Sequence, residues 1–282
     1  MKVMNSKDSL KDALKQEREA GKRIGFVPTM GYLHEGHASL IRAARQENDV
    51  VVVSVFVNPT QFGPNEDLDA YPRDTEKDLR LLQAEQVDVA FFPTVEDIYP
   101  AGFTTYVEVQ GPITQALCGG SRPGHFRGVT TVVSKLFNIV APHRAYFGQK
   151  DAQQVAVIEK MVRDLDFDLQ IVPCPIVREP DGLAMSSRNA YLSEEERVQS
   201  LTISKALFEV EEMIKKGETD ANSLTDYLTQ RYSNIKNAAI DYVSIVDAVT
   251  LKDIEVVQGN VLIAVAVKVG KTRLIDNIRI QA

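Results

Sequence analysis

The chain has 282 residues, 44% hydrophobic and 25% charged, with a formal net charge of -7 and a pI near 5.3. Such a composition supports a sizeable core and about two domains, and its acidic balance argues against a large nucleic-acid footprint, which would show as a basic face. Two cysteines, Cys118 and Cys174, with no CxxC pair, make neither a disulfide framework nor a zinc knuckle.

The opening residues, "MKVMNSKDSLKDALKQEREAGK", are polar where a signal peptide carries its apolar centre. No apolar run approaches the roughly 18 residues of a membrane span. A cytoplasmic protein without membrane or nucleic-acid partners is expected, working on small molecules. Strand-like runs follow at "RIGFVPT" (23–29), "DVVVVSVFVN" (49–58), "VDVAFFP" (87–93), "RAYFGQ" (144–149) and "DLQIVPCPIV" (168–177), with helical patterns between most of them. These runs are apolar on successive residues, as in strands covered on both faces of a parallel sheet. After the fourth run, Val155, Ile158, Val162 and Leu165 recur at helical spacing. Residues 1–176 therefore read as a doubly wound α/β domain, Rossmann-like, with a parallel sheet.

The texture changes between 177 and 190. Residues 194–216 and about 221–236 read as charged helices, and "IDYVSIVDA", "VLIAVAVKVG" and "TRLIDNIRIQ" as consecutive strands. Residues 177–282 are expected to form a smaller α+β domain.

Three segments carry candidate chemistry. "PTMGYLHEGH" (28–37) lies where the first strand hands over to a helix, whose N-terminus is a ready anion site. Gly31 and Gly36 allow a tight turn and close approach of a ligand, and His34 and His37 can each donate to a phosphate oxygen. A histidine pair at this spacing also suits a metal, although a third ligand at diagnostic spacing is missing. "YFGQKDAQQ" (146–154) places Gly148, Lys150 and Asp151 between a strand and a helix, where a lysine is unfavourable unless an anion is present. "LAMSSRNAYLS" (183–193) offers two hydroxyls, Ser186 and Ser187, beside Arg188, which can grip phosphate bidentately. Taken alone, each segment reads equally as a helix cap or a solvated surface. "GKT" at Gly270–Thr272 resembles the end of a P-loop, but its leading glycine position is Val265 and a strand follows it.

Together these motifs resemble a known family. "PTMGYLHEGH" is similar to the HxGH signature of a nucleotidyltransferase superfamily, and "MSSR" to that superfamily's KMSKS loop. With "VSVFVNPTQFGPNEDLDAYPR", "RPGHFRGVTTVV", "YFGQKDAQQ" and "REPDGLAMSSRNAYL", the chain resembles the pantoate-beta-alanine ligase family from about residue 24 to 193. Gln149 departs from the Glu or His that many relatives carry.

The resemblance implies that ATP and pantoate give pantoyl adenylate and pyrophosphate, and that beta-alanine then displaces AMP. It implies Mg²⁺ on the ATP phosphates and a homodimer. It assigns Met30, Gly31, Tyr32, Leu33, His34, Glu35, Gly36 and His37 to the ATP site, the two histidines acting on the phosphates. Gly148, Gln149, Lys150 and Asp151 would hold the nucleotide, with Lys150 towards the phosphates. Val177 would frame the adenine, and Met185, Ser186, Ser187 and Arg188 would close over the triphosphate. His34, His37, Lys150 and Arg188 are the implied catalytic groups. Gln61, Gln154, Asn58 and Tyr71 are the implied substrate-binding residues, Gln61 and Gln154 as the pantoate anchors. The polar stretch at 59–74 reads as a lid or a static loop, and Arg122, His125 and Arg127 as residues near the site. A tRNA-directed member of the superfamily, another adenylate-forming ligase and a nucleotide-binding regulator are the rival readings.

Overall fold

The apolar runs of the first half of the chain pair side by side into one parallel sheet. In the computed structural model, which describes residues 1–64 and 66–282, this sheet has six strands. They are β1 (Lys2–Met4), β2 (Ile24–Thr29), β3 (Val50–Val55), β4 (Val89–Phe91), β5 (Arg144–Gly148) and β6 (Gln170–Cys174), in the order β1-β4-β3-β2-β5-β6. All five pairings are parallel. The fold is thus the expected Rossmann-like α/β arrangement.

Two details depart from the sequence expectation. β1 falls in a stretch read as polar, and its only partner is β4, so it is an edge strand with little need for apolar residues. The last run shortens to Gln170–Cys174 and includes Pro173, which an edge strand tolerates because one side of its backbone needs no ladder bond.

The helices cover both faces. Phe26 of β2 packs edge-on against Phe137 of α7 (His125–Val140), with ring centroids 6.4 Å apart. Its neighbour Val27 instead joins a buried cluster with Leu40 and Ile41 of α2 (Glu35–Glu47) and Leu82 of α3 (Thr75–Ala84). Successive strand residues project to opposite faces, so α7 lies on one face and α2 and α3 on the other.

The chain divides into two compact units. The first comprises Met1–Val109, Pro123–Gln149 and Val157–Pro175, and contains the parallel sheet. The second comprises Gln110–Arg122, Lys150–Ala156 and Ile176–Ala282. It holds two short helical turns (Pro112–Gln115 and Leu117–Ser121), a long helix (Glu194–Lys215), a further helix (Ala221–Ser233) and an antiparallel sheet. That sheet has strands β7 (Ala238–Asp247), β8 (Asn260–Val269) and β9 (Thr272–Gln281), in the order β7-β8-β9. Ser193 caps the long helix in a reciprocal box with Glu196. The central strand β8 is buried at eight of its ten positions and packs with Leu207, Val210, Leu224 and Leu228 of the two helices. Gly270 and Lys271 form the turn between β8 and β9, so the "GKT" stretch is a hairpin connection.

Candidate active site

In the first unit the strand order changes direction at β2. The chain steps from β2 to β3 to β4 on one side, then returns to β5 on the other. In open α/β sheets ligands bind beyond the carboxyl ends of the strands at such a switch point. "PTMGYLHEGH" continues from the carboxyl end of β2, and "GQKD" from that of β5, with β2 and β5 paired at Gly25–Arg144 and Phe26–Ala145.

Residues 30–37 form a tightly specified turn. Gly31 (φ 83°) and Tyr32 (φ 52°) are both left-handed, and Tyr32 carries a strain that glycine escapes. Asp78 of α3 holds them: its carboxylate accepts Tyr32 N–H at 2.9 Å and Leu33 N–H at 2.7 Å. The side chain of Asp78 is 1% exposed, and burial raises its pKa, against the lowering effect of the bonds from Leu33 and Tyr32. A β-carbon at Gly31 would meet Val55 at 2.9 Å and Asp78 at 3.0 Å, so the turn has no room for a side chain there. Leu33 is fully buried in the core, which limits it to a backbone role.

The two histidines open α2. Gly36 N–H donates to His34 Nδ1 at 3.1 Å, and His34 N–H donates to His37 Nδ1 at 3.3 Å, a reciprocal cap with ring centroids 4.1 Å apart. A ring nitrogen that accepts carries no proton, so both neutral rings bear theirs on Nε2. The cap thus selects the tautomer in which Nε2 carries the ring proton. Glu35 is exposed, and its carboxylate accepts from the Arg42 guanidinium of the same helix. Among the described residues, no group of three or more His, Cys, Asp or Glu side chains gathers to hold a metal ion.

Gln61 sits in a second cluster of the same unit. Asn58, 1% exposed, donates from Nδ2 to Gln61 Oε1 (3.0 Å) and Gly128 O (3.2 Å). Its Oδ1 accepts from Tyr99 OH (2.7 Å) and Thr60 Oγ1 (3.0 Å). The amide of Asn58 is therefore engaged inside the protein, and it orients the Gln61 side chain. Because Gln61 Oε1 is the accepting end, Nε2 is the end beside Met30, 3.1 Å from its sulfur. His125 Nδ1–H donates to Gln61 O at 2.8 Å. Gly128 lets α7 approach this turn, since a β-carbon there would lie 2.3 Å from Thr60 O. Tyr71 is buried and stacks edge-on with Phe62 at 5.9 Å. Arg127 lies over the Tyr106 ring at 3.9 Å. Asn65, inside the expected lid, is outside the described residues.

Gly148 and Gln149 belong to the first unit, at the end of β5, and the second unit contains the remaining predicted residues. Lys150 and Asp151 lie in the 3₁₀ turn Gln149–Asp151, and α8 (Ala152–Asp164) continues from it with Gln154 in its first turn. Asn277 Nδ2 donates to Lys150 O at 2.9 Å. Gln153, 5% exposed, donates to Ile113 O (3.0 Å) and Ala116 O (2.7 Å), which ties the start of α8 to the segment leading to Arg122. Val177 and Met185 are brought together, Met185 N–H donating to Val177 O at 3.0 Å. Ser186 Oγ accepts Arg188 N–H at 3.3 Å and begins the 3₁₀ turn Ser187–Tyr191, with Ser187 buried. Asn189 Nδ2 donates to Glu179 Oε1 at 2.8 Å and Ala184 O at 3.1 Å, fastening this turn to the strand-like segment before it.

Sequence reasoning missed Asp78, Gln153, Asp276 and Asn277. Asp78 had one readable signal, a lone acid on the apolar side of a helix next to Leu81 and Leu82. The other three carry none, because their partners are set by chain crossings rather than spacing.

Comparison with known proteins agrees with this geometry. The family profile described as Pantoate-beta-alanine ligase matches residues 2–279. The chain is 60% identical to a pantothenate synthetase of Acetivibrio thermocellus over 281 residues, covering 100% of both chains. It is 58% identical to that of Thermotoga petrophila over 277 residues, 98% of this chain and 99% of the relative. The structure is similar to that of pantothenate synthetase from Thermus thermophilus, with a TM-score of 0.95, 45% identity and 100% of both chains covered. It is also similar to a Francisella tularensis pantoate-beta-alanine ligase complexed with beta-gamma ATP and beta-alanine, with a TM-score of 0.80, 37% identity, and 99% and 97% of the chains covered. A full-length match by profile, by sequence and by fold places this chain in the pantoate-beta-alanine ligase family.

Proposed function

We propose that the chain condenses pantoate with beta-alanine at the expense of ATP, yielding pantothenate, AMP and pyrophosphate. The observation that carries this reading is the paired-histidine cap at the carboxyl end of β2, beside the switch point of the sheet. In the first step a pantoate carboxylate oxygen attacks the α-phosphorus of ATP, and the bond from that phosphorus to the bridging oxygen breaks as pyrophosphate leaves. In the second, the beta-alanine amine attacks the acyl carbon, the acyl C–O bond breaks, AMP leaves, and the nitrogen gives up a proton. Both steps gather anions, so positioning and charge neutralisation carry the catalysis and no protein nucleophile is required.

Each unit has its share. On the first, His34 and His37 donate from Nε2 to phosphate oxygens as pyrophosphate departs, and Met30, Gly31, Tyr32, Leu33, Glu35 and Gly36 shape the turn that holds them. Gln61 offers an NH₂ donor to the pantoate acid or hydroxyls, with Asn58 orienting it and Tyr71 nearby. Gly148 and Gln149 approach the nucleotide at the end of β5. On the second, Lys150 neutralises phosphate charge, Asp151 takes the ribose and Gln154 anchors pantoate. Val177 frames the adenine, and Met185, Ser186, Ser187 and Arg188 cover the phosphates.

Mg²⁺ is proposed to accompany ATP, where it would neutralise the β- and γ-phosphates. Their oxygens and water suit a hard cation, so a dedicated protein cage is unnecessary. A homodimeric, cytoplasmic enzyme without nucleic-acid partners completes the proposal. Among the described residues no helix is long and apolar enough to cross a membrane.

The test is to incubate the protein with ATP, Mg²⁺, pantoate and beta-alanine and to follow AMP. Product that requires both acids is expected. Labelled pyrophosphate should exchange into ATP with pantoate alone, and exchange that required beta-alanine would remove the two-step mechanism.

A further inference from the structure

Two neighbouring residues on β9 hold two separate segments of the second unit. Asp276 is 3% exposed and receives Arg178 through both carboxylate oxygens, at 2.6 and 2.9 Å. Arg178 also donates to Gly182 O at 3.2 Å, and it pairs with Ala184 in an isolated bridge. The turn that ends in Met185–Arg188 is thus anchored to β9 through one guanidinium, which further lies over Phe208 at 4.9 Å. Asn277 is 4% exposed and donates to the backbone carbonyl of Lys150 at 2.9 Å. The two side chains are in register with each other, because Asn277 N–H donates to Asp276 Oδ1 at 2.7 Å.

Successive residues of a strand project from opposite faces. β9 therefore grips the Lys150 turn from one face and the Arg178 turn from the other, and its pairing with β8 at Asp276–Val265 and Asn277–Ala264 makes that grip stiff. A buried, bidentate Arg–carboxylate pair has little freedom to slide. A buried amide that donates to the Lys150 carbonyl sets the backbone at that residue.

We propose that Asn277, seconded by Asp276, is a positioning residue for adenylate formation. It fixes the backbone from which the Lys150 ammonium reaches the phosphates, in the same frame as the Met185–Arg188 segment. The inference rests on the role given above to Lys150. It makes a remote strand of the small sheet part of the apparatus that places charge on ATP, with no contact between Asn277 and substrate required.

The experiment compares Asn277→Ala, Lys150→Ala and the double variant in two assays. One is pyrophosphate exchange with ATP and pantoate, and the other is the reaction of preformed pantoyl adenylate with beta-alanine. Asn277→Ala is expected to slow exchange about tenfold, as loss of one directed hydrogen bond allows, while the second assay stays within about twofold. In the Lys150→Ala background the same substitution should change exchange by less than about twofold, since residues that act as a unit are not additive. Asn277→Asp, which keeps the volume but turns an acceptor on the Lys150 carbonyl, should reproduce the loss of exchange and keeps the test open if the alanine variant does not fold. Equal losses in both assays, or an undiminished effect of Asn277→Ala without Lys150, would overturn the proposal. Full exchange in Lys150→Ala would overturn the Lys150 assignment itself, whereas a slow Lys150→Ala beside a normal Asn277→Ala would reject Asn277 alone.

Discussion

His34 and His37 cap each other across the first turn of α2, and each uses Nδ1 as the acceptor. The capping bond and the proposed donor to phosphate thus use opposite nitrogens of each ring. Asn at position 34 is a good helix cap but cannot supply the outward Nε2–H. His34→Asn should therefore leave the unfolding free energy within about 0.5 kcal/mol while depressing pyrophosphate exchange by roughly 10² to 10³, the usual cost of losing one preorganised donor. Nitrogen-15 NMR of the neutral rings should report Nε2–H at both positions. Nδ1–H at either would remove this account of the cap.

Asp78 gives a pH-dependent prediction. Its ionised carboxylate is what can accept two backbone N–H groups, and burial holds its pKa above the ordinary 3.8. As pH falls through that raised value the carboxyl gains a proton and one acceptor becomes a donor. Exchange activity should fall in the same window, earlier than an ordinary aspartate would allow. Asp78→Asn mimics the protonated acid: one N–H faces an NH₂, which costs about 1 to 3 kcal/mol for a buried group left unsatisfied. Relief of the buried charge opposes this, and because burial outweighs the two bonds in raising the pKa, the two effects offset. The urea midpoint should therefore change little, while the variant's exchange should be low at all pH and lose the acidic limb of its profile.

The Asn58–Gln61 bond decides which end of the Gln61 amide accepts and leaves Nε2 as the end beside Met30. Gln61→Glu replaces an NH₂ donor by a carboxylate of the same size. Pantoate carries a carboxylate, so its KM should rise by at least about tenfold, while the KM for ATP changes by less than about twofold. Gln154→Ala should show the same bias towards pantoate. Steady-state kinetics with one substrate varied at a time checks both, and an unaltered pantoate KM would take that residue out of the site.

Cys174 is buried, and burial first, then Glu47, pushes its thiol up to about 11 from 9.0. At pH 8 only about one thiol in a thousand is thiolate, so alkylation of the native protein at this residue should be far slower than after denaturation. The sign for stability follows. Above pH 9 the unfolded chain releases this proton while the folded chain keeps it until about 11, so this group's contribution to stability is intact below pH 9 and declines across that window. Cys174→Ser should flatten the alkaline decline in a pH series of thermal melts.

How much of this was readable beforehand depended on the distance over which each feature is encoded. The strands β2 and β3 are buried on nearly every residue, and their unbroken apolar runs announce a sheet covered on both faces. The helix start at His34 is equally local, since donor and acceptor lie within three residues of each other. Leu33 could not be separated by sequence from the neighbours proposed to bind ATP, because the same turn buries Leu33 fully and leaves His34 half-buried. Asn58 is implied as a substrate contact by resemblance, and its hydrogen bonds to Gln61, Gly128 and Tyr99 come from chain crossings that spacing does not encode.

Composition and apolar periodicity determined by themselves a doubly wound sheet followed by a separate set of helices and strands, whereas only the structure shows that the second unit also takes in Gln110–Arg122 and Lys150–Ala156. Tertiary structure alone also decided which groups hold the candidate site in place. Asp78 meets Leu33 across 45 residues, and Asn277 meets Lys150 across 127. Such contacts are fixed by strand order, by which face of a strand each residue occupies, and by close chain crossings, and none of these leaves a periodic trace in the sequence.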